Sequence, residues 1–135
     1  MKGDLRTLLL SQSSITSIVG ASGVFVTDAK QGAPLPYVVI GQTDSDEFNT
    51  LDAPSGSFRA LEIEIESKGR TAEEADRLSE TIRGFLKDYS GAAGTQVIDA
   101  AIVEGQFESK ERPVNGSDQK TFVVTLELTI QYHPS

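Results

Sequence analysis

The segment Thr121 to His133, TFVVTLELTIQYH, alternates along almost its whole length. Phe122, Val124, Leu126, Leu128, Ile130 and Tyr132 fall on one side. Thr125, Glu127, Thr129 and Gln131 fall on the other, with Val123 the exception. Successive side chains of a strand point to opposite faces, so the pattern predicts one long strand with a dry face and a wet face. Phe58 to Glu66 repeats it, with Leu61, Ile63 and Ile65 alternating against Glu62, Glu64 and Glu66. Strands of this kind pair antiparallel and need a second layer over the dry side.

That layer is readable in Thr71 to Gly91. Thr71-Ala72-Glu73-Glu74 is a capping-box pattern, in which the Thr71 hydroxyl and the Glu74 carboxylate are expected to satisfy each other's free amides. Ala75, Leu78, Ile82, Phe85, Leu86 and Tyr89 follow at steps of three and four, a buried stripe. Gly91 is placed to end the helix in a left-handed cap, and Lys87 complements the dipole.

The remainder is shorter-range. Asp4 is placed to cap a first helix carrying Leu5, Leu8 and Leu9, and Ser14 a second short one closed by Gly20. Val24 to Thr27 and Tyr37 to Thr43 read as short strands. Between them Gln31-Gly32-Ala33-Pro34-Leu35-Pro36 cannot be regular, because two prolines remove two donors and fix φ. Asp44 to Ser57 and Ser109 to Lys120 read as long polar loops, the second carrying the turn signal Asn115-Gly116. Gln96 to Glu108 holds strand material with a bulge expected near Asp99-Ala100, and should form a hairpin with the final strand. The expected fold is α+β: a mainly antiparallel sheet of about four to five strands. One long helix packs on one face, beside a short N-terminal helical segment. Residues 1–135 are expected to form a single domain.

Twenty acidic against twelve basic side chains give a net charge of −8, a poor match for non-specific binding to nucleic acid or anionic membrane. No cysteine is present, which excludes disulfides, thiolate metal sites and cysteine nucleophiles. The apolar run Leu8-Leu9-Leu10 is too short for a signal core, so the expectation is synthesis without export and no membrane span.

No residue set announces chemistry. His133, the single histidine, lies near the end of a strand and reads as structural or idle. Asp44, Asp46, Glu47 and Asp52 form the densest carboxylate cluster, but without the spacing or glycine of a calcium loop. Glu62, Glu64 and Glu66 look like a wet strand face. Gly91-Ala92-Ala93-Gly94 follows a helix, whereas a phosphate cradle precedes one. No catalytic residue, metal or cofactor is expected.

Read in order, several segments resemble the tail-completion, or tail-terminator, proteins of long-tailed double-stranded DNA bacteriophages. They are LRTLLLSQSSITSIVG, QGAPLPYVVIGQT, TLDAPSGSFRALEIEIES, KGRTAEEADRLSETIRGFLKDYSG and KTFVVTLELTIQYH. Ser109 to Lys120 is longer than the connection usual in that family.

The resemblance implies a non-enzymatic virion protein, made in the bacterial host cytoplasm and located in the tail. It implies a homo-oligomeric ring, commonly of six subunits, that closes the head-proximal end of the tail tube. Its partners would be further copies of itself, the tail tube protein and the head-closure or connector protein. DNA would pass through the lumen without specific binding. The two long loops are the natural contact segments: Phe48, Leu51 and Asp52 on the first, Lys110, Arg112 and Asn115 on the second, with Phe48 and Leu51 as apolar anchors. The alternatives are another neck ring, either head-closure or tail-tube, a small-molecule binding module at the helix–sheet interface, or a hydrolase using the carboxylate loop.

Overall fold

The computed structural model describes residues 1–30, 32–48, 58–111 and 120–134; for residues 44–48 and 58 the description is of the backbone. Three helices are present, α1 (Lys2–Leu10), α2 (Ser13–Val19) and α3 (Ala72–Leu86). The strands are β1 (Val24–Val26), β2 (Tyr37–Phe48), β3 (Phe58–Gly69), β4 (Gly91–Ala93), β5 (Gln96–Glu111) and β6 (Thr121–Pro134). They form one sheet in the order β1-β2-β3-β6-β5-β4. Every pairing is antiparallel except β1 with β2.

The α+β class is as expected, and the sheet has one strand more than the sequence reading gave it. The extra strand is β4, whose residues read only as a helix stop. Helix α3 ends earlier, with Lys87 as its C-cap in ordinary right-handed geometry. Gly91, at φ 141°, instead redirects the chain so that residues 91–93 pair with residues 96–98 of β5.

At the other end of α3 the cap is shifted by one partner. The Glu74 amide donates to Thr71 Oγ1 at 3.1 Å, as expected. The Glu74 carboxylate, however, accepts from the Arg70 amide at 2.9 Å instead of from Thr71, and also from the Arg70 guanidinium. The Arg70 amide bond holds the Glu74 carboxyl below its usual range, against the opposing effect of burial and with help from the guanidinium charge.

The N-terminal caps also differ from expectation. Met1 is the N-cap of α1 and Gln12 that of α2, so Asp4 lies in the first turn and Ser14 within the second helix. Asp4 is free to act elsewhere: its Oδ2 accepts from Thr95 Oγ1 at 3.3 Å, just beyond β4. Two residues on, Arg6 Nε donates to the Val24 carbonyl of β1 at 2.7 Å. One turn of helix therefore reaches both outer strands. Laid flat, six strands would put those strands about 24 Å apart, whereas Asp4 and Arg6 are separated by about 3 Å along the axis. The sheet is curled, and α1 clasps its two edges.

Both major helices pack on the same side. Leu5, Leu9, Leu78, Ile82 and Leu86 are fully buried in one cluster with Ile63, Ile65, Leu126 and Leu128. Phe85 and Tyr89 lie at its margin, partly buried. Each fully buried leucine or isoleucine contributes roughly 1.5–3 kcal/mol by removal from water.

The proline leader serves the one parallel pairing. Chain leaving β1 must return to run alongside it, with Thr27 N donating to Ile40 O at 2.8 Å and Val38 N to Gly23 O at 2.9 Å. A stiff, donor-poor segment makes that return without competing for the sheet.

Both central hairpins extend further than the polar sequence suggested. The β2–β3 ladder continues to Phe48 opposite Phe58, so residues 44–48 are strand and not loop. A register shift between Gln42 and Asp44 sets Thr43 aside, and its hydroxyl donates to Glu62 O at 3.2 Å. The β5–β6 ladder continues to Glu111 opposite Thr121, taking in Ser109 and Lys110. In both cases a long alternating partner offers its hydrogen bonds, and pairing overrides weak local propensity.

Candidate functional site

Register places the two hairpin tips at opposite ends of the sheet. Arg59 of β3, beside the Phe48–Phe58 rung, faces Tyr132 of β6. Gly69, at the far end of β3, faces Phe122, beside the β5–β6 tip. The tips are separated by the length of β3, about 36 Å at 3.3 Å per residue. We refer to them as the β2–β3 arm and the β5–β6 arm.

The face turned away from the helices has two halves. Toward the β2–β3 arm it is acidic. Gly41, Glu64, Glu127 and Gly105 form one row across the four central strands, with the two glutamates directly opposite each other. Glu62 and Glu104 join them around a shallow cavity of about 220 Å³ also lined by Thr43. Glu104 is hydrogen-bonded to Thr129. Toward the β5–β6 arm the same face mixes apolar side chains with Glu66 and Lys68 of β3, which lie opposite Val39 and Tyr37 of β2. Val39, Val123 and Thr125 are buried there, which accounts for Val123 as the exception to alternation. Phe25 packs edge-on against Tyr37, with ring centroids 5.6 Å apart.

Two bulges in β5 set its side-chain directions. The one between Ile98 and Ala100 lies where it was expected; the one between Val103 and Gly105 was not anticipated. Ala101 and Val103 face the helices, so unbroken alternation would send Phe107 there too. The additional residue, Glu104, reverses the order. Gln106 instead faces α3, donating to Glu80 and accepting from Arg83, both at 3.2 Å. Phe107 turns outward and is 48% exposed, with Ile102 at 46%. These are the exposed large hydrophobics among the described residues, and the sequence reading missed both. Ile102 lies on the outer face by alternation with Ala101 and Val103, and Phe107 reaches it through the second bulge, which depends on β6.

Of the six residues singled out from sequence, two have described positions. Phe48 ends β2 opposite Phe58, with the backbone alone described. Lys110 lies on β5 opposite Phe122, with its Nζ 5.5 Å from that ring's centroid. Leu51, Asp52, Arg112 and Asn115 lie outside the described residues. Just inside the β5–β6 arm, Lys68 Nζ meets Glu111 Oε1 at 2.6 Å. Burial lowers the Lys68 pKa, but the Glu111 hydrogen bond and charge, with Tyr37 and Glu66, outweigh it and leave it raised.

His133 has a partner: its Nδ1 lies 2.8 Å from Asp99 Oδ2. Asp99 is the residue displaced at the first β5 bulge, so the pair ties that bulge to β6. Among the described residues no group of three or more acidic or histidine side chains is arranged to hold a metal ion, and no helix is long and apolar enough to cross a membrane.

Comparison with known proteins bears on what such a subunit is. The family model described as "Tail completion protein gp17" matches residues 3–133. The chain belongs to this family. Family membership makes it a structural component of a phage tail. A chain in the solved structure "Virion of native gene transfer agent (GTA) particle" shares the fold at a TM-score of 0.64. The two are 15% identical, and the match covers 97% of this chain and 94% of that one. No curated protein matches this member of the tail completion family.

Proposed function

We propose that this tail completion protein forms a closed ring at the head-proximal end of the tail tube. There it halts tube polymerisation and presents a surface to the head connector. The observation that carries the reading is the placement of the two arms at opposite ends of one continuous sheet. A subunit so built has contact segments facing two directions, as a ring between tube and head requires.

The β2–β3 arm, with Phe48, Leu51 and Asp52, and the β5–β6 arm, with Lys110, Arg112 and Asn115, are the proposed contact segments. Partners are further copies, tail tube protein and connector. The acidic half of the outer face, with Glu62, Glu64, Glu104 and Glu127, is assigned to the lumen. Six copies, each at −8, carry −48 per ring. Such a lumen repels phosphate, so DNA crosses without the binding energy that basic contacts would add.

Deleting the gene from its phage and imaging the particles tests this reading. Overlong tails, or tails not joined to heads, are the expected result. Tails of normal length firmly attached to heads would contradict it.

A further inference from the structure

The cavity beside β1 differs in charge from the rest of this acidic protein. It measures about 390 Å³, with Val19, Phe25, Ala33 and Pro34 giving it an apolar lining and Arg6 and Lys30 supplying two cations. Arg6 spends its Nε on the Val24 carbonyl, and among the described residues neither Arg6 nor Lys30 forms an ion pair. Lys2, one turn before Arg6 on α1, bonds Thr27 Oγ1 through its Nζ. An apolar hollow with unpaired cations fits a segment carrying both carboxylates and an apolar side chain.

The chain contains such a segment. Residues 44–52, DSDEFNTLD, hold four carboxylates with Phe48 and Leu51 between them. We infer that the β2–β3 arm of one copy docks in the β1-side cavity of another. It cannot serve its own cavity. β1 pairs with Val38–Ile40, while the arm's last rung is at Phe48, about 25 Å further along the same strand. Nine residues, 49–57, lie between that rung's two positions, and a loop of that length folds back at most about 15 Å. The contact joins unlike surfaces of two copies, and such contacts form rings when the rotation closes. The inference rests on the ring reading for its biological setting, but its test is separate.

Because the chain has no cysteine, single cysteines can be introduced into the full-length protein. Ala33→Cys and Leu51→Cys proteins, mixed and oxidised both free and in assembled tails, should form a disulfide-linked dimer. Its yield should exceed by about tenfold that of Leu51→Cys mixed with Gly84→Cys, which places the thiol on the exposed outer side of α3. Lys30→Glu, at an exposed position, should lower the specific yield several-fold and leave the melting temperature unchanged. Equal yields from the two mixtures, or a yield insensitive to Lys30→Glu, would overturn the inference. If Lys30→Glu leaves the cross-link unchanged but abolishes retention of short duplex DNA, the cavity takes phosphate and the proposal falls. Rings without this cross-link would refute the docking alone; the cross-link without rings would refute the ring alone.

Discussion

Asp4 and Thr95 stand 91 positions apart in sequence and are joined at 3.3 Å, so the first turn of the chain holds the far edge of the sheet. The same turn holds the near edge through Arg6. Curl in this sheet is therefore fixed from outside it, by α1, as well as by strand twist.

The clasp has a steric counterpart in Gly94. It adopts φ +59°, and a Cβ there would meet Asp4 Oδ1 at 2.1 Å and Asp4 Cβ at 3.2 Å. Gly94→Ala should cost about 1–3 kcal/mol, from left-handed strain and from displacing the Asp4 carboxylate. In an Asp4→Ala background the close approaches to the carboxylate are removed and only the 3.2 Å contact with Cβ remains, so the two changes should be less than additive in denaturant titrations. Full additivity would mean that Asp4 and Gly94 do not share this contact.

The α3 cap should make stability depend on pH. A carboxyl held below its usual range in the folded protein stabilises above its unfolded pKa, and that stabilisation is lost as pH falls through the lowered value. Thermal melts from about pH 5 downward should lose less Tm in Glu74→Gln than in the parent protein. Thr71→Ala should cost about 1 kcal/mol at neutral pH through loss of the hydroxyl cap. Identical pH slopes for parent and Glu74→Gln would exclude the Arg70–Glu74 contact as a contributor.

How much of this was legible in the sequence depended on range. The α3 stripe and the alternation in β3 and β6 are periodic within one segment, so the helix, the two long strands and their dry face could all be read. The wet face of Glu62 and Glu64 was readable too. Its junction with Glu104 was not, because the second β5 bulge exists only in register with β6. Phe107 changes face for the same reason. β4 has no pattern of its own, and residues 44–48 are strand because β3 pairs them. Asp4 looked like a cap because its distant partner, Thr95, leaves no local signal.

The Glu64–Glu127 pair sets repulsion directly across the central strands. Like charges so placed cost about 0.2–1 kcal/mol, so Glu127→Gln should stabilise the isolated protein by about that amount. Added salt should then raise the Tm of the parent more than that of the variant. Reversing both charges, Glu64→Lys with Glu127→Lys, should leave folding intact and slow DNA ejection from assembled particles. Unchanged ejection would remove these residues from the lumen.

Phe48 ends the β2–β3 ladder, and Phe48→Asp should block incorporation into tails without changing the melting temperature. Anchors of this kind are worth about 2 kcal/mol or more at an interface. Quantifying the protein in purified tails checks this; normal incorporation would remove Phe48 as an anchor.

The most direct test of the central claim is electron cryo-microscopy of tails bearing this protein. The account predicts a single closed ring at the head-proximal end, with Glu64 and Glu127 facing the channel and the two hairpin arms in contact with neighbouring subunits. A particle in which the protein forms no ring, or in which that glutamate row is buried away from the channel, would contradict it.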